Sequence, residues 1–396
     1  MKQFLTVPLF CFLMSTVVAQ SVQKTMKRLP DTGQKNSYTT TFGEDNDYNI
    51  NVPFFVKNNN GTTIDTITGL MWQTTDGGEM TIENARTYAD TLTLGGYTDW
   101  RLPTAAEAFS ILNQQNNNPA LDINFFTKTA AEYWWTAQVQ ANDATKIWAT
   151  NAGGGIGNHP KTETISAGGT KKFHVRAVRD QSSVPTIPNH YTDNGDGTIT
   201  DHLTQLMWEK VPTTAVQTWE QALVLAEGLT LANYSDWRLP NIKELQSLND
   251  ERAIQPSVSS PYFQNLIVTK YWSSTSLPNQ TTKAWYWHTA FGITAYDLKT
   301  VANNVLCVRT ITAPASKINY SNIVNQGSVY PNPFNAFLTL KVELMNKHCV
   351  LYNSIGEVVY EGTDLAQQNF SELLNGFYFL RVLDSNSSLF KLIKTN

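Results

Sequence analysis

"DWRLPTAAE", Asp99 to Glu107, returns later in the chain as "DWRLPNIKE", Asp236 to Glu244. In each copy a proline precedes a residue with a capping side chain, Thr104 or Asn241, and a glutamate stands three positions further on. That spacing starts a helix: the cap side chain accepts from the third helical amide, and the glutamate reaches back to the amide of the cap. The stretch therefore ends an extended segment and opens a helix, with Glu107 and Glu244 in the box. Trp100 and Trp237 are expected as core anchors, and Arg101 and Arg238 as partners of a nearby carboxylate that fixes the turn. A catalytic reading would need a constellation around the motif in both copies. The six histidines, at 159, 174, 190, 202, 288 and 348, share no matched positions and no ligand spacing. Neither a phosphate-binding glycine loop nor a nucleophile elbow is present. The motif is read as scaffold, no catalytic residue is assigned, and no enzyme is expected.

Outward from the motif the two copies keep step. "GTTIDTITGLMW" ending at Trp72 meets "GTITDHLTQLMW" ending at Trp208, "EYWWTA" meets "KYWSST", "KIWATNAGGGI" meets "KAWYWHTAFGI", and "HVRAVR" meets "NVLCVR". Matching order over so long a stretch is domain duplication rather than a solenoid. Within each copy Asn60-Gly61 or Asp196-Gly197 marks a tight hairpin turn. Ile82, Ala85, Ala89 and Leu92, like Trp219, Ala222, Ala226 and Leu229, fall at helical spacing. The later runs, rich in tryptophan and β-branched residues, read as strands, which makes each copy α+β.

A chain of 396 residues suits two or three domains, and 41% hydrophobic residues with 11 Trp, 16 Tyr and 18 Phe can fill their cores. The net charge of -4 argues against nucleic acid and anionic surfaces as partners. Lys2, the apolar run "FLTVPLFCFLMSTVVA" and the junction Ala19/Gln20 read as a cleaved signal peptide, and no later segment is apolar enough to span a membrane. Of three cysteines, Cys11 leaves with that peptide; Cys307 and Cys349 form no disulfide framework, and Cys307 aligns with Ala177, as a buried small residue would. "LPDTG", Leu29 to Gly33, has the letters of a sortase signal but stands at the wrong end of the chain.

Two places invite a ligand. In "DNGDGTITD", Asp193, Asn194, Asp196 and Asp201 are candidate calcium ligands, although aligning Gly197 with the loop glycine of a calcium-binding loop leaves Thr192 and Leu203 at its terminal ligand positions. Glu44, Asp45 and Asp47 form a second acidic cluster of the same kind. The rival reading is a polar hairpin turn, and no other cofactor is expected. In "AWYWHTAFG", Tyr286, Trp287 and His288 replace Ala149, Thr150 and Asn151 of the first copy, so they are candidate ligand contacts special to the second. Core or interdomain packing is the alternative.

The repeated series "T.LMW", "DWRLP…E", "YWSST" and "VLCVR" resembles the Legionella collagen-like protein C-terminal domain family, and the "RLPTAAE" segment more distantly resembles the formylglycine-generating sulfatase-modifying family. The resemblance implies two tandem C-type-lectin-like domains and, from the name-giving adhesin, binding of sulfated polysaccharides. Neither copy has the cysteine pair of the sulfatase-modifying enzymes, so their chemistry is not carried over. A basic patch for sulfated chains would draw on Lys161, Lys171, Lys172 and Arg176. "VYPNPFN", "VLYNSIGEVVYEG" and "LLNGFYFLRV" resemble the type A C-terminal sorting domain of type IX secretion, a small all-β sandwich. The expected organisation is signal peptide 1–19, N-terminal linker 20–37, first repeat 38–180, linker 181–189, second repeat 190–311, linker 312–328 and sorting domain 329–396. The expected function is extracellular or cell-surface binding or adhesion, to a polysaccharide or a surface protein, after export by the type IX machinery. The alternative is a structural protein-contact scaffold of the envelope or matrix.

Overall fold

The computed structural model describes residues 22–23, 26–162, 172–181, 186–187, 190–258, 261–311, 329–341, 344–345, 347–353, 358–383 and 388–395. The signal peptide with Ala19 and Gln20 lies outside the described residues, as does Lys171. The chain divides into two compact units, residues 1–311 and 312–396.

Strand β1 (Val22–Gln23) opens the first unit. The first repeat follows as β2 (Phe55–Lys57), β3 (Thr62–Asp65), β4 (Leu70–Gln73), α1 (Ile82–Thr91), α2 (Ala105–Ser110), β5 (Ala131–Gln140), β6 (Asp143–Asn151), β7 (Ile156–Pro160), β8 (Lys172–His174) and β9 (Val178–Asp180). A short strand β10 (Thr186–Ile187) pairs with β1. The second repeat is β11 (Tyr191–Asp193), β12 (Thr198–Asp201), β13 (Leu206–Glu209), α3 (Trp219–Glu227), α4 (Ile242–Ser247), β14 (Lys270–Ser276), β15 (Lys283–His288), β16 (Ile293–Leu298) and β17 (Val308–Thr310). The order of turn, helices and strands is the expected one, but the helices are short and strand dominates.

Each repeat builds two small sheets. One is a meander closed by the last strand, in order β2-β3-β4-β9 and β11-β12-β13-β17; the other is β7-β6-β5-β8 or β14-β15-β16. Gly61 and Gly197, at φ +84° and +91°, make the hairpin turns that L side chains disfavour. Ile82, Ala85 and Ala89 form the buried stripe of α1, as Trp219, Ala222, Leu223 and Ala226 do in α3. Each repeat keeps a private core, around Trp100 and Trp135 or Trp237 and Trp272. A further apolar cluster draws on both, joining Trp72, Phe109 and Trp148 to Trp208, Leu245, Trp285 and Trp287. Each indole removes roughly 150–250 Å² from water, a gross gain on the order of 4–6 kcal/mol at about 25 cal/mol per Å². The repeats therefore fold around shared apolar surface rather than as two beads.

Equivalent elements meet across that core, α2 against α4 and β7 against β16. Like-to-like contact is what a two-fold relation between copies produces. The N-terminal segment is not the expected linker. Within the expected linker Asp31, Thr32 and Gln34 are buried, Asp31 O accepting from Lys243 Nζ and Gln34 Oε1 from Ser276 N of the second repeat.

The second unit is described by itself. Strands β18 (Val329–Tyr330) and β19 (Thr339–Leu340) pair, and β20 (His348–Asn353), β21 (Val358–Gly362), β22 (Gly376–Leu383) and β23 (Ser388–Lys394) form a sheet in order β21-β20-β22-β23. Phe334, Leu338, Leu351, Leu380 and Leu392 fill the space between them. This is the small all-β domain that the alternating pattern of the tail predicts.

Candidate functional site

The repeated motif is a clamp. Thr104 Oγ1 accepts from Glu107 N at 3.1 Å while Thr104 N donates to Glu107 Oε2 at 2.7 Å; Asn241 and Glu244 do the same at 2.9 and 2.9 Å. Arg101 donates two hydrogen bonds to Glu107, at 2.7 and 2.8 Å, and bridges on to Asp180 at 3.0 Å. Arg238 grips Glu244 at 2.7 and 2.6 Å, with Thr310 in place of the second acid. Trp100 and Trp237 are buried, each indole N–H donating at 3.2 Å to a backbone carbonyl, of Leu94 and Leu231. Asp99 and Asp236, the first letter of the motif, pair with Arg179 and Arg309, whose guanidinium groups lie 3.9 and 3.7 Å from the ring centres of Tyr97 and Tyr234. These bonds tie the helix start to the last strand of each repeat. The carboxylates and guanidinium groups of the motif are all engaged in scaffold.

The acidic turn is also scaffold. Asp201 is fully buried and accepts from Leu203 N at 2.9 Å and Thr204 Oγ1 at 2.6 Å. Its counterpart Asp65 caps the same turn, from Ile67 N and Thr68 N. Asp193, Asn194 and Asp196 are exposed on the other side of the hairpin, with Asp193 held by Lys210, Asn194 donating to Thr198, and Asp196 capping Thr198. The four do not converge on one point. Among the described residues no group of three or more His, Cys, Asp or Glu is arranged to hold a metal ion. Glu44 and Asp45 instead reach the second repeat, where Ser276 donates to Glu44 and Thr275 to Asp45, and Asp47 caps Gly43 and Glu44. Burial pushes the Asp45 carboxyl well above its ordinary range, with the charge of Asp31 adding to the effect. Lys243 Nζ, wholly buried, donates to Asp31 O at 2.8 Å and Ser110 O at 2.7 Å, and burial pulls it down to about 8. The sortase-like letters thus belong to a buried joint.

Of the aromatic triplet, Tyr286 and Trp287 are buried and His288 is half-buried. Trp287 is fully buried in the shared core, so it has no face to offer a sugar ring. Tyr286 lies in the private core of the second repeat with Lys270 Nζ 4.7 Å over its ring. His288 Nδ1 accepts from Ala290 N at 3.1 Å, and burial followed by the charge of Lys270 holds the imidazole below its usual range. Asn151, the counterpart of His288, does the same work by accepting from Gly153 N at 2.9 Å. Arg176 likewise leaves the proposed basic patch: it is fully buried and donates to Gln73 O and Thr74 O at 2.7 and 2.6 Å.

A cleft of about 500 Å³ opens between the repeats, within the range of about 300–1,000 Å³ usual for ligand sites. Asn117, Asn118, Glu132, Tyr133 and Asn151 line the wall from the first repeat, and Trp285, Thr294, Ala295 and Tyr296 the wall from the second. Thr294 Oγ1 accepts from Ile156 N at 2.9 Å and pins the walls together. Trp285 is buried and meets Tyr296 edge to face with ring centres 5.6 Å apart, leaving Tyr296 42% exposed. The sequence "NAGGGI" makes the fit: a Cβ on Gly154, at φ +98°, would stand 3.2 Å from Ala120 Cβ and 3.5 Å from Trp285. The second copy has Phe291 there. The triple glycine was the one visible signal of this cleft.

Residues 61–179 and 197–309 both match the Lcl C-terminal domain, together more than half of the chain. The chain belongs to the Lcl C-terminal domain family. Both matches open at or beside the hairpin glycine, Gly61 or Gly197, and close on the arginine that holds the aspartate of DWRLP, Arg179 or Arg309. The walls of the cleft fall inside them, one in each Lcl C-terminal domain. Residues 328–395 match a secretion system C-terminal sorting domain. No curated protein matches the chain. Among solved structures, PorZ, described as an essential bacterial surface component of the type-IX secretion system of Porphyromonas gingivalis, is similar at 15% identity and a TM-score of 0.15, over 66% of this chain and 30% of that one. The sorting domain sends the protein to the outer cell surface or the extracellular space by the type IX machinery. No helix among the described residues is long and apolar enough to cross a membrane.

Proposed function

We propose that the protein is a non-enzymatic binding or adhesion protein of the cell exterior, with C-type-lectin-like repeats that present the inter-repeat cleft to an extracellular saccharide. The observation that carries this reading is the cleft itself: amide, hydroxyl and carboxylate groups beside partly exposed tyrosines, held between two rigid sheets rather than on loose loops. The largest clusters of titratable side chains elsewhere in this unit, around Arg101, Arg238, Lys243 and the Asp76–His174 pair at 2.9 Å, are engaged in internal bonds. Calcium has no part in this proposal. The full chain applied to a glycan array, with calcium or with chelator, tests the reading: reproducible signals on a restricted set of glycans support it, and silence under both conditions refutes it.

A protein-contact scaffold is the second reading. Val52, Phe54 and Val56 are exposed at alternate positions leading into β2, an edge strand, and an apolar stripe on a strand edge invites another protein. Capture of a surface protein by the full chain, lost in Phe54→Asp, would favour it.

A further inference from the structure

We infer that the cleft selects uncharged saccharides and rejects sulfated or carboxylated ones, an inference that rests on the binding reading above and names its ligand class. The argument is the chemistry of the walls. Recognition of sulfate or carboxylate is built from arginine and lysine, whose charge and fixed N–H donors match the anion. Among the described residues no lysine, arginine or histidine lines the cleft, and the carboxylate on its walls is that of Glu132. A sulfated sugar entering here would meet a like charge in a partly desolvated space, where repulsion is stronger than in open water. Lys283 stands nearby, with Nζ 4.9 Å from the centre of the Tyr296 ring, but it holds that ring and does not line the cleft.

What the walls do offer suits a neutral sugar. Asparagine amides carry both donors and acceptors, and a carboxylate accepts from hydroxyls, so Asn117 and Glu132 can exchange hydrogen bonds with the hydroxyls of a pyranose, and Asn151, whose Oδ1 accepts from Gly153 N and Gly155 N, can donate through Nδ2. Tyr296, 42% exposed with the buried Trp285 packed against it, supplies apolar ring surface for the C–H groups of the sugar, while the Tyr133 ring is stacked on Phe173. Arg176, the one arginine of the expected basic patch, is not available to an anion, because it is buried against Gln73 O and Thr74 O.

Titration calorimetry on the full chain tests the inference, with cello-, xylo-, manno- and laminari-hexaose as neutral probes and a heparin hexasaccharide as the sulfated one. At least one neutral hexaose is expected to bind, with affinity reduced tenfold or more in Tyr296→Ala and no competition from the heparin fragment. Glu132→Lys is expected to weaken the neutral ligand and to create heparin binding. Melting temperatures of both variants establish that they are folded. Heparin binding by the wild type without binding of any neutral hexaose overturns the inference while leaving a binding protein. Neutral binding that Tyr296→Ala leaves unchanged also overturns it, since the ligand is then elsewhere. Silence toward all five probes overturns the inference; if the glycan array is silent as well, the reading beneath it falls too.

Discussion

Arg238 and Glu244 meet in two hydrogen bonds of 2.7 and 2.6 Å with both side chains about 95% buried, whereas the matching Arg101 keeps 32% of its side chain exposed. Removing one partner of a buried pair strands the other, at about 3–5 kcal/mol. Arg238→Ala is expected to lose that much in chemical denaturation. Arg101→Ala should lose less, because water can enter at the open side and solvate Glu107. Equal losses would show that exposure does not set the cost.

Trp287 and Tyr296 separate the core from the cleft. Trp287 has no exposed surface, so Trp287→Ala should cost about 3–5 kcal/mol of stability through the cavity it leaves. Tyr296 is 42% exposed, and Tyr296→Ala should shift the melting temperature little while weakening ligand. Thermal melts of the two variants, side by side, check the assignment.

Glu209 gives a pH dependence with a defined sign. Burial lifts its carboxyl to about 7 although Cys307 N donates to it at 2.6 Å. The folded state therefore holds a proton that the unfolded state releases near pH 4.5. The contribution is complete below that pH and is lost as pH rises to about 7, by up to roughly 3 kcal/mol. Gln73 occupies the matching place in the first repeat and accepts from Ala177 N at 3.2 Å. Glu209→Gln should accordingly fold, gain stability over the wild type above pH 7, and lose this part of the slope. An unchanged slope between pH 4.5 and 7 would remove Glu209 as its source.

Asp201 is expected to matter to folding without metal. Asp201→Ala strips the cap from a buried turn, at about 1–2 kcal/mol, and the loss should be the same in calcium and in chelator. A melting temperature that calcium raises in the wild type and not in the variant would restore the metal reading.

What the sequence showed and what it hid divide by distance along the chain. The capping boxes, the hairpin glycines and the apolar face of α1 depend on neighbours within a few positions, and each was legible. Asp31 O takes the Lys243 ammonium at a separation of 212 residues, so a segment that reads as a linker is a structural arm. Tyr286, Trp287 and His288 stood out because the copies differ there. The difference reflects packing, since a tryptophan in a shared core is filled by what faces it and not by its own repeat. The cleft was hidden for the same reason: its walls, at 117–153 and 285–296, come together only when two Lcl C-terminal domains pack.

The most direct test of a composite cleft is the affinity of one neutral hexaose for the full chain in Asn117→Ala, Tyr296→Ala and the double variant. These residues lie on opposite walls. Each single change should weaken the same ligand, with the double variant showing no measurable binding. Affinity that depends on one wall and ignores the other would contradict the claim that both repeats build the site.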